Sequence, residues 1–183
     1  MSDPVKEFES LRNDSKLVFA VVYRGHWCPF CISYIRALKA IENRVHEAGG
    51  KTVIITSEVE KHLPGVRSAT GYDGPAIVDP KNVLAEDLRK KNLVNVAISD
   101  MKLRRYKHGM AQPAVLVIQQ DGTVLYSWAI VPRWMNLQGA KDRPNLYQIW
   151  DNVEAKLNGK DAVHKTYTTA GVATVLGEKF SSK

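Results

Sequence analysis

The longest apolar stretch of the chain is Leu17–Tyr23, in which hydrophobic side chains follow one another without alternation. A strand that is covered on both faces has this pattern, so the run predicts a central strand. A second run at 51–56 predicts another buried strand. Between the two runs, apolar residues recur at helical spacing from Ile32 to Val45, and Gly49 is expected to end that helix. A β-α-β order with a helical crossover predicts two parallel strands.

The rest of the chain carries shorter patterns. Asp3 followed by Pro4 predicts the start of an N-terminal helix. The turn Asp121-Gly122 lies between two apolar segments and predicts an antiparallel hairpin. The remaining patterns predict a short helix at 57–63, a loop at 65–74, a strand at 75–79, a helix at 82–91, loop-like structure at 92–110, hairpin strands at 114–118 and 123–130, and a helix at 146–157.

A length of 183 residues, with 44% hydrophobic and 25% charged residues, is typical of one globular domain. We expect this domain to span residues 1–159. The tail at 160–183 has no strong periodicity, and we expect either a dimerisation arm, which would make the protein a homodimer, or a loosely ordered terminus. The apolar residues that such an arm would use are Tyr167, Val172, Val175, Leu176 and Phe180.

Composition also excludes several classes of protein. No apolar run is long enough to cross a bilayer, and the first residues lack the pattern of a secretory signal, so we expect a cytoplasmic protein without a membrane partner. The formal net charge is +7, with basic clusters at 89–91 and 102–108. No recognition motif accompanies these clusters, so a nucleic-acid partner is not expected. The second cluster could instead stabilise a thiolate if it folds back onto the cysteines.

The only two cysteines, Cys28 and Cys31, are three residues apart between the first predicted strand and the helix. A helix N-terminus presents free N–H groups and the positive end of the helix dipole, which favour a thiolate over a thiol. In a reducing cytosol such a pair is catalytic or metal-binding rather than a structural disulfide. As a dithiol, Cys28 at the helix start is expected to be the more exposed, attacking thiolate, and Cys31 to be the resolving thiol.

Residues around the cysteines are candidates for setting the pKa of Cys28 and the start of the helix. Arg24 and His26 could lower the pKa of Cys28 through positive charge, and Pro29 suits the first turn of a helix. Trp27 is expected to pack over the pair. An anion-binding arginine could reach the site from beyond the last strand. The candidate residues there are Arg133, Trp134 and Arg143, whereas His46, His62, His108 and His164 show no ligand spacing and are assigned to the surface.

The order of elements resembles a thioredoxin fold, and the sequence from Trp27 to Cys31 resembles the active site of thioredoxins and related disulfide reductases. Gln112-Pro113 stands at the position of that family's cis-proline, before a predicted strand. The string at 23–31, together with 142–144, most resembles the peroxiredoxin-like members of the alkyl hydroperoxide reductase/thiol-specific antioxidant (AhpC/TSA) group. The resemblance implies an α/β thioredoxin-like fold, a central mixed sheet flanked by helices with a peroxiredoxin-like strand–helix insertion.

The same resemblance implies a site and a chemistry. Catalysis would use Cys28 and Cys31 without a metal or prosthetic group, and an external thiol reductant such as the thioredoxin or glutathione system would regenerate them. The supporting residues would be Arg24, His26, Trp27, Pro29, Phe30, Gln112 and Pro113. Substrates would be a disulfide-bearing protein or a small thiol or peroxide.

The sequence departs from the peroxiredoxin pattern at two positions, and these departures affect which activity we expect. Peroxiredoxins carry proline and Thr or Ser seven and three residues before the reactive cysteine, where this chain has Val21 and Gly25. We therefore expect a thiol–disulfide oxidoreductase, with hydroperoxide reduction as an additional antioxidant activity. The alternatives are a non-catalytic redox sensor or binding module, and a dimeric zinc or iron–sulfur protein that uses the two cysteines.

Overall fold

The computed structural model describes residues 3–100 and 106–169, which contain five α-helices and seven β-strands. The helices are α1 (Pro4–Asn13), α2 (Pro29–Glu47), α3 (Leu63–Thr70), α4 (Val83–Lys90) and α5 (Leu146–Leu157). The strands are β1 (Leu17–Tyr23), β2 (Gly50–Thr56), β3 (Ala76–Val78), β4 (Ile98–Ser99), β5 (Met110–Ala111), β6 (Ala114–Gln119) and β7 (Val124–Ala129). Single turns of 3-10 helix lie at Glu60–His62 and Trp134–Asn136.

Five strands form a mixed sheet in the order β3-β2-β1-β6-β7. As the uninterrupted apolar run predicts, β1 is the central strand and all seven of its residues are buried. It pairs in parallel with β2 and antiparallel with β6, and β7 returns antiparallel beside β6. The predicted β-α-β unit and the predicted hairpin are therefore both confirmed.

Helices cover the two faces of this sheet. The odd-numbered residues of β1, such as Phe19 and Val21, pack with buried residues of α2 and α5. The even-numbered residues, such as Val18 and Ala20, pack with buried residues of α1 and α4. The strand–helix insertion is present as β3 and α4. The predicted architecture, a mixed sheet flanked by helices, is confirmed.

The helix that carries the cysteines begins where the sequence indicates. Cys28 is the N-cap residue with extended backbone angles, and Pro29 occupies the first turn, where its missing N–H removes no helical hydrogen bond. The helix ends at Glu47, and Gly49 follows with φ of 81°. Because the crossover is parallel, β1 and β2 end at the same edge of the sheet, and the cysteines lie at this edge.

Residues 57–74 were predicted wrongly in part. The helix predicted at 57–63 is a single 3-10 turn, and the loop predicted at 65–74 contains helix α3. This segment contains three glycines, but the helix begins at Leu63 with Pro64 in its first turn, Val66 is buried in the core, and Gly71 ends the helix with φ of 70°.

Within the segment 92–110, the described residues 92–100 and 106–110 are largely without regular structure, as predicted, except that β4 pairs with β5 in a small separate sheet. Residues 101–105, which include most of the basic cluster at 102–108, lie outside the described residues. The described start of the tail, 160–169, folds back onto the chain. The ring of Tyr167 contacts that of Tyr126 at 5.4 Å, and Asn145 N–H donates to the carbonyl of Thr168 at 2.9 Å.

The other apolar residues of the expected dimerisation arm lie beyond residue 169, outside the described part of the chain. No helix of the described part is long and apolar enough to cross a membrane.

Candidate active site

The two cysteine side chains lie side by side at the N-terminus of α2. Both are free thiols, and the N–H of Cys31 donates to the carbonyl of Cys28 at 2.9 Å. Cys28 is 2% exposed and Cys31 0%, so the expected difference in exposure is small. The helix start is therefore positioned to favour a thiolate, but a substrate must displace part of the cover to reach either sulfur.

Arg143, from the segment between β7 and α5, lies against both sulfurs. Its Nη2 is 3.4 Å from Cys31 Sγ and 3.8 Å from Cys28 Sγ, and its side chain is buried. The guanidinium carbon lies 5.5 Å from the centre of the Tyr34 ring, and Tyr34 Oη donates to the carbonyl of Pro144 at 2.7 Å. Because Tyr34 lies in α2, the helix that carries the cysteines also holds the arginine that contacts them. Of the two arginines named beyond the last strand, Arg133 is exposed and Arg143 is the one at the site.

The two thiols ionise as a coupled pair. The hydrogen bond to Cys31, together with burial, raises the pKa of the Cys28 thiol. Burial also opposes ionisation of Cys31, but the hydrogen bond from Cys28 and the charge of Arg143 outweigh it and lower the pKa of the Cys31 thiol. These directions favour Cys31 for the negative charge of the singly ionised pair, whereas the sequence predicts Cys28 as the attacking thiolate.

Arg24 adds a second buried guanidinium at the end of β1. Its Nη2 donates to the carbonyl of Gln138 at 3.1 Å, and its backbone hydrogen bond helps to lower the pKa of Cys31. Among the described residues neither Arg24 nor Arg143 forms an ion pair with a carboxylate. An unpaired buried charge is costly, so the cysteine thiolate is the anion that this environment favours.

Gly25 is surrounded by polar side chains. A β-carbon at this position would lie 2.5 Å from Tyr106 Oη, 2.8 Å from Trp27 Nε1 and 2.9 Å from Glu58 Oε2. Tyr106 Oη accepts from Trp27 Nε1 at 2.9 Å and donates to the carbonyl of Arg24 at 2.7 Å. The space that a Thr or Ser side chain would need is therefore filled by the hydroxyl of Tyr106. Trp27 is 38% exposed, so it covers the motif only in part.

His26 contacts Glu58 and His62. Its backbone N–H donates to Glu58 Oε2 at 2.8 Å, and its Nδ1 lies 2.7 Å from Glu58 Oε1. Its ring stacks on that of His62, with 4.1 Å between ring centres. His62, for which the sequence predicts a surface position without ligand spacing, is partly buried and belongs to a cluster beside the site. Glu58 is buried at the end of β2, and sequence reasoning did not identify it.

The cis-proline expected at Gln112-Pro113 is not formed, because this peptide bond is trans. The backbone enters β6 directly: the N–H of Gln112 donates to the carbonyl of Ala97, and the carbonyl of Pro113 accepts from Ile130. Extended backbone is also what a trans proline imposes on the residue before it. The buried Gln112 Oε1 lies beside Gly139 near Arg24, and Phe30, in the first turn of α2, packs against the core.

Comparison with protein families places this sequence in a known group. The model of the AhpC/TSA family matches residues 5–127, which is more than half of the chain. The chain belongs to the AhpC/TSA family. At the level of this family, membership supports a thiol-dependent oxidoreductase or peroxidase with an antioxidant function. No curated protein matches the AhpC/TSA chain significantly.

Solved structures of peroxiredoxins share the fold of this AhpC/TSA protein. The peroxidoxin BcpB of Mycobacterium tuberculosis has 14% identity and a TM-score of 0.59, over 83% of this chain and 84% of its own. A mutant of peroxiredoxin 6 of Arenicola marina has 16% identity and a TM-score of 0.60, over 82% and 64%. AhpC of Mycobacterium tuberculosis has 10% identity and a TM-score of 0.56, over 80% and 72%. The thioredoxin-like, peroxiredoxin-type fold is thereby confirmed.

At Val21 and Gly25, where this AhpC/TSA protein departs from the peroxiredoxin pattern, the surrounding structure fits the residues that are present. Val21 is fully buried in the central strand and is paired with Ile54 on one side and Val115 on the other. A proline there would remove a hydrogen bond from the ladder. At Gly25, Tyr106 occupies the side-chain space. The packing around both positions therefore suits the residues that are present, and not the proline and hydroxyl residue of peroxiredoxins.

Proposed function

We propose that the chain is a thiol–disulfide oxidoreductase that cycles Cys28 and Cys31 between dithiol and disulfide, and that it reduces disulfides more efficiently than hydroperoxides. The observation that carries the proposal is the buried guanidinium of Arg143 within 3.8 Å of both sulfurs. It stabilises one negative charge on the pair, which the reaction requires because a thiolate is the nucleophile.

The reaction begins with a proton shift between the two sulfurs. Because Cys28 and Cys31 are hydrogen-bonded, transfer of the Cys28 proton to Cys31 moves the negative charge to Cys28. The Cys28 thiolate then attacks one sulfur of a substrate disulfide, forms a mixed disulfide, and releases the other sulfur as a thiolate, which takes the proton from Cys31.

The second step closes the protein disulfide. The Cys31 thiolate attacks the Cys28 sulfur, the mixed disulfide breaks, and the second half of the substrate leaves as a thiolate that takes a proton from water. Two electrons have passed from the protein to the substrate. An external thiol, from the thioredoxin or glutathione system, then returns the pair to the dithiol, so the reaction needs no prosthetic group.

Hydroperoxide reduction is the second candidate, and family membership favours it. Here the Cys28 thiolate would attack the terminal peroxide oxygen, the O–O bond would break, and the alcohol would leave with the Cys31 proton. Condensation of the Cys28 sulfenic acid with Cys31 would release hydroxide and form the same disulfide. We rank it second because Gly25 brings no hydroxyl to the site, and the Tyr106 hydroxyl that fills this space already donates to the carbonyl of Arg24.

The test compares electron acceptors with one preparation of reduced protein. Rate constants for oxidation are measured by stopped flow with oxidised glutathione, insulin, hydrogen peroxide and an organic hydroperoxide. We expect the disulfides to react faster, Cys28→Ser to be inactive, and Cys31→Ser to stop at the mixed disulfide. Faster reaction with hydroperoxides would reverse the ranking, and turnover by Cys28→Ser would refute the proposal.

The other functions named from the sequence predict different results. A redox sensor or binding module would form the disulfide once without catalytic turnover. A dimeric zinc or iron–sulfur protein would be purified with metal on the two cysteines and would lose it in Cys28→Ser.

A further inference from the structure

Two imidazoles and a carboxylate come together beside the loop that leads to Cys28. The potential ligand atoms of His26, Glu58 and His62 all lie within 4.8 Å of one another. We propose that these three residues form a binding site for a divalent transition-metal ion of the zinc class, separate from the two cysteines. The function proposed above does not require this site.

The fold brings these residues together through the parallel strand pair. His26 lies in the loop after β1, whereas Glu58 and His62 lie in the connection after β2. Because β1 and β2 end at the same edge of the sheet, the two connections run side by side. Hydrogen bonds from the backbone and ring of His26 to Glu58 hold them together at 2.8 and 2.7 Å.

The environment of Glu58 supports a cation at this position. Its side chain is only 1% exposed, and among the described residues it forms no ion pair with lysine or arginine. Its sole ion-pair partner there is His26, whose side chain is 33% exposed. A buried carboxylate needs a compensating charge, and a metal ion that enters past the half-exposed histidines would supply it.

The stacked histidines suit a shared ion. The His26 and His62 rings are nearly parallel, with 12° between their planes and 4.1 Å between their centres, so their edges are within reach of one position. Zinc lies about 2.0–2.2 Å from nitrogen or carboxylate ligands, so two ligands of one ion are at most about 4.4 Å apart. Small side-chain rotations of the histidines would therefore close the site.

The donor set defines the class of ion. Two imidazole nitrogens and one carboxylate oxygen suit zinc and neighbouring first-row metals, whereas calcium and magnesium prefer oxygen ligands alone. Three protein ligands leave a fourth position open. Because His26 stands two residues before Cys28, a bound ion would join the active-site loop to the segment after β2.

The test uses the full chain in a Cys28→Ser/Cys31→Ser background, which removes every thiolate ligand. Cobalt(II) is titrated as a spectroscopic probe, and zinc binding is measured by calorimetry. We expect one ion per chain and no sulfur-to-cobalt charge-transfer band. His62→Gln should weaken binding at least about tenfold, whereas His46→Gln, at an exposed histidine outside the cluster, should bind as the parent does.

Thermal unfolding provides an independent measurement. Zinc should raise the Tm of the parent and of His46→Gln, but not that of His62→Gln, because an ion stabilises a fold only where the folded site binds it. The three proteins should unfold at similar temperatures with a chelator present, which verifies that His62→Gln is folded. Lack of binding by the parent, equal binding by His62→Gln, or binding that only the cysteine-containing chain shows would overturn the proposal.

Discussion

Replacing Arg143 by methionine should raise the pH at which the cysteine pair ionises. The substitution keeps most of the apolar stem of this buried side chain and removes the guanidinium that lies 3.4 Å from Cys31 Sγ and 3.8 Å from Cys28 Sγ. Because Arg143 lowers the pKa of the Cys31 thiol, the folded protein without it should hold both protons to a higher pH.

The magnitude follows from the geometry. A hydrogen bond to a charged group contributes about 1.5–3 kcal/mol, and Coulomb's law at 3.4 Å with an effective dielectric constant of 20 gives about 5 kcal/mol as an upper bound. Since one pKa unit corresponds to about 1.4 kcal/mol, we expect the first pKa of the pair to rise by about 1–3 units. In the parent this pKa should lie below the value of about 8.5 of a free cysteine.

The assay follows thiolate absorbance in the ultraviolet and the rate of alkylation by iodoacetamide as functions of pH. The parent should retain thiolate as the pH falls below 8.5, and Arg143→Met should lose it at a higher pH. Arg133→Met, an exposed arginine in the same connection, is the matched control and should titrate as the parent does. If a folded Arg143→Met protein titrates unchanged, Arg143 does not stabilise the thiolate and the electrostatic argument fails.

Two further predictions concern stability. Gly25→Ala should lower the free energy of unfolding by about 1–3 kcal/mol, because the new methyl group would lie 2.5 Å from Tyr106 Oη. In α3, the methyl group of Gly65→Ala would meet nothing within 4 Å. This substitution should raise the free energy of unfolding by up to about 1 kcal/mol. Equal effects of the two substitutions in urea unfolding would contradict the packing at Gly25. Asp3→Ala removes the side-chain acceptor for the N–H groups of Val5 and Lys6 and should cost about 0.5–2 kcal/mol, measured in the same way; an unchanged midpoint would mean that the cap does not stabilise the fold.

The parts of the fold that were predictable are those with a strong local pattern. The apolar runs of β1 and β2, the stripe of α2 and the turn at Asp121-Gly122 each indicate their element through neighbouring residues alone. Helix α3 was missed because Gly65, Gly71 and Gly74 interrupt the local pattern, whereas the burial of Val66 depends on packing against α2, which a local pattern does not contain.

In the site, too, the predictable residues are those that lie close together in the sequence. The position of Cys28 and Cys31 at a helix start follows from the strand, the motif and Pro29, all adjacent in the chain. Arg143 lies more than 100 residues from the cysteines, and only the packing of its segment on Tyr34 distinguishes it from Arg133.

Glu58 and Tyr106 carried no signal in the sequence, because an isolated acid and an isolated tyrosine have many surface roles. Their importance arises from distances that the fold creates, such as the 2.8 Å from the backbone N–H of His26 to Glu58. The trans bond before Pro113 likewise depends on how the backbone enters β6, which the family resemblance did not reveal.

The most direct test of the central claim is the thiol state of the protein after one equivalent of oxidised glutathione, followed by mass spectrometry and peptide mapping without reductant. The account predicts that each chain loses two hydrogens and contains a Cys28–Cys31 disulfide, formed through a transient mixed disulfide on Cys28. Two free thiols at the end of the reaction, a stable adduct on Cys31, or a disulfide between two chains would contradict it.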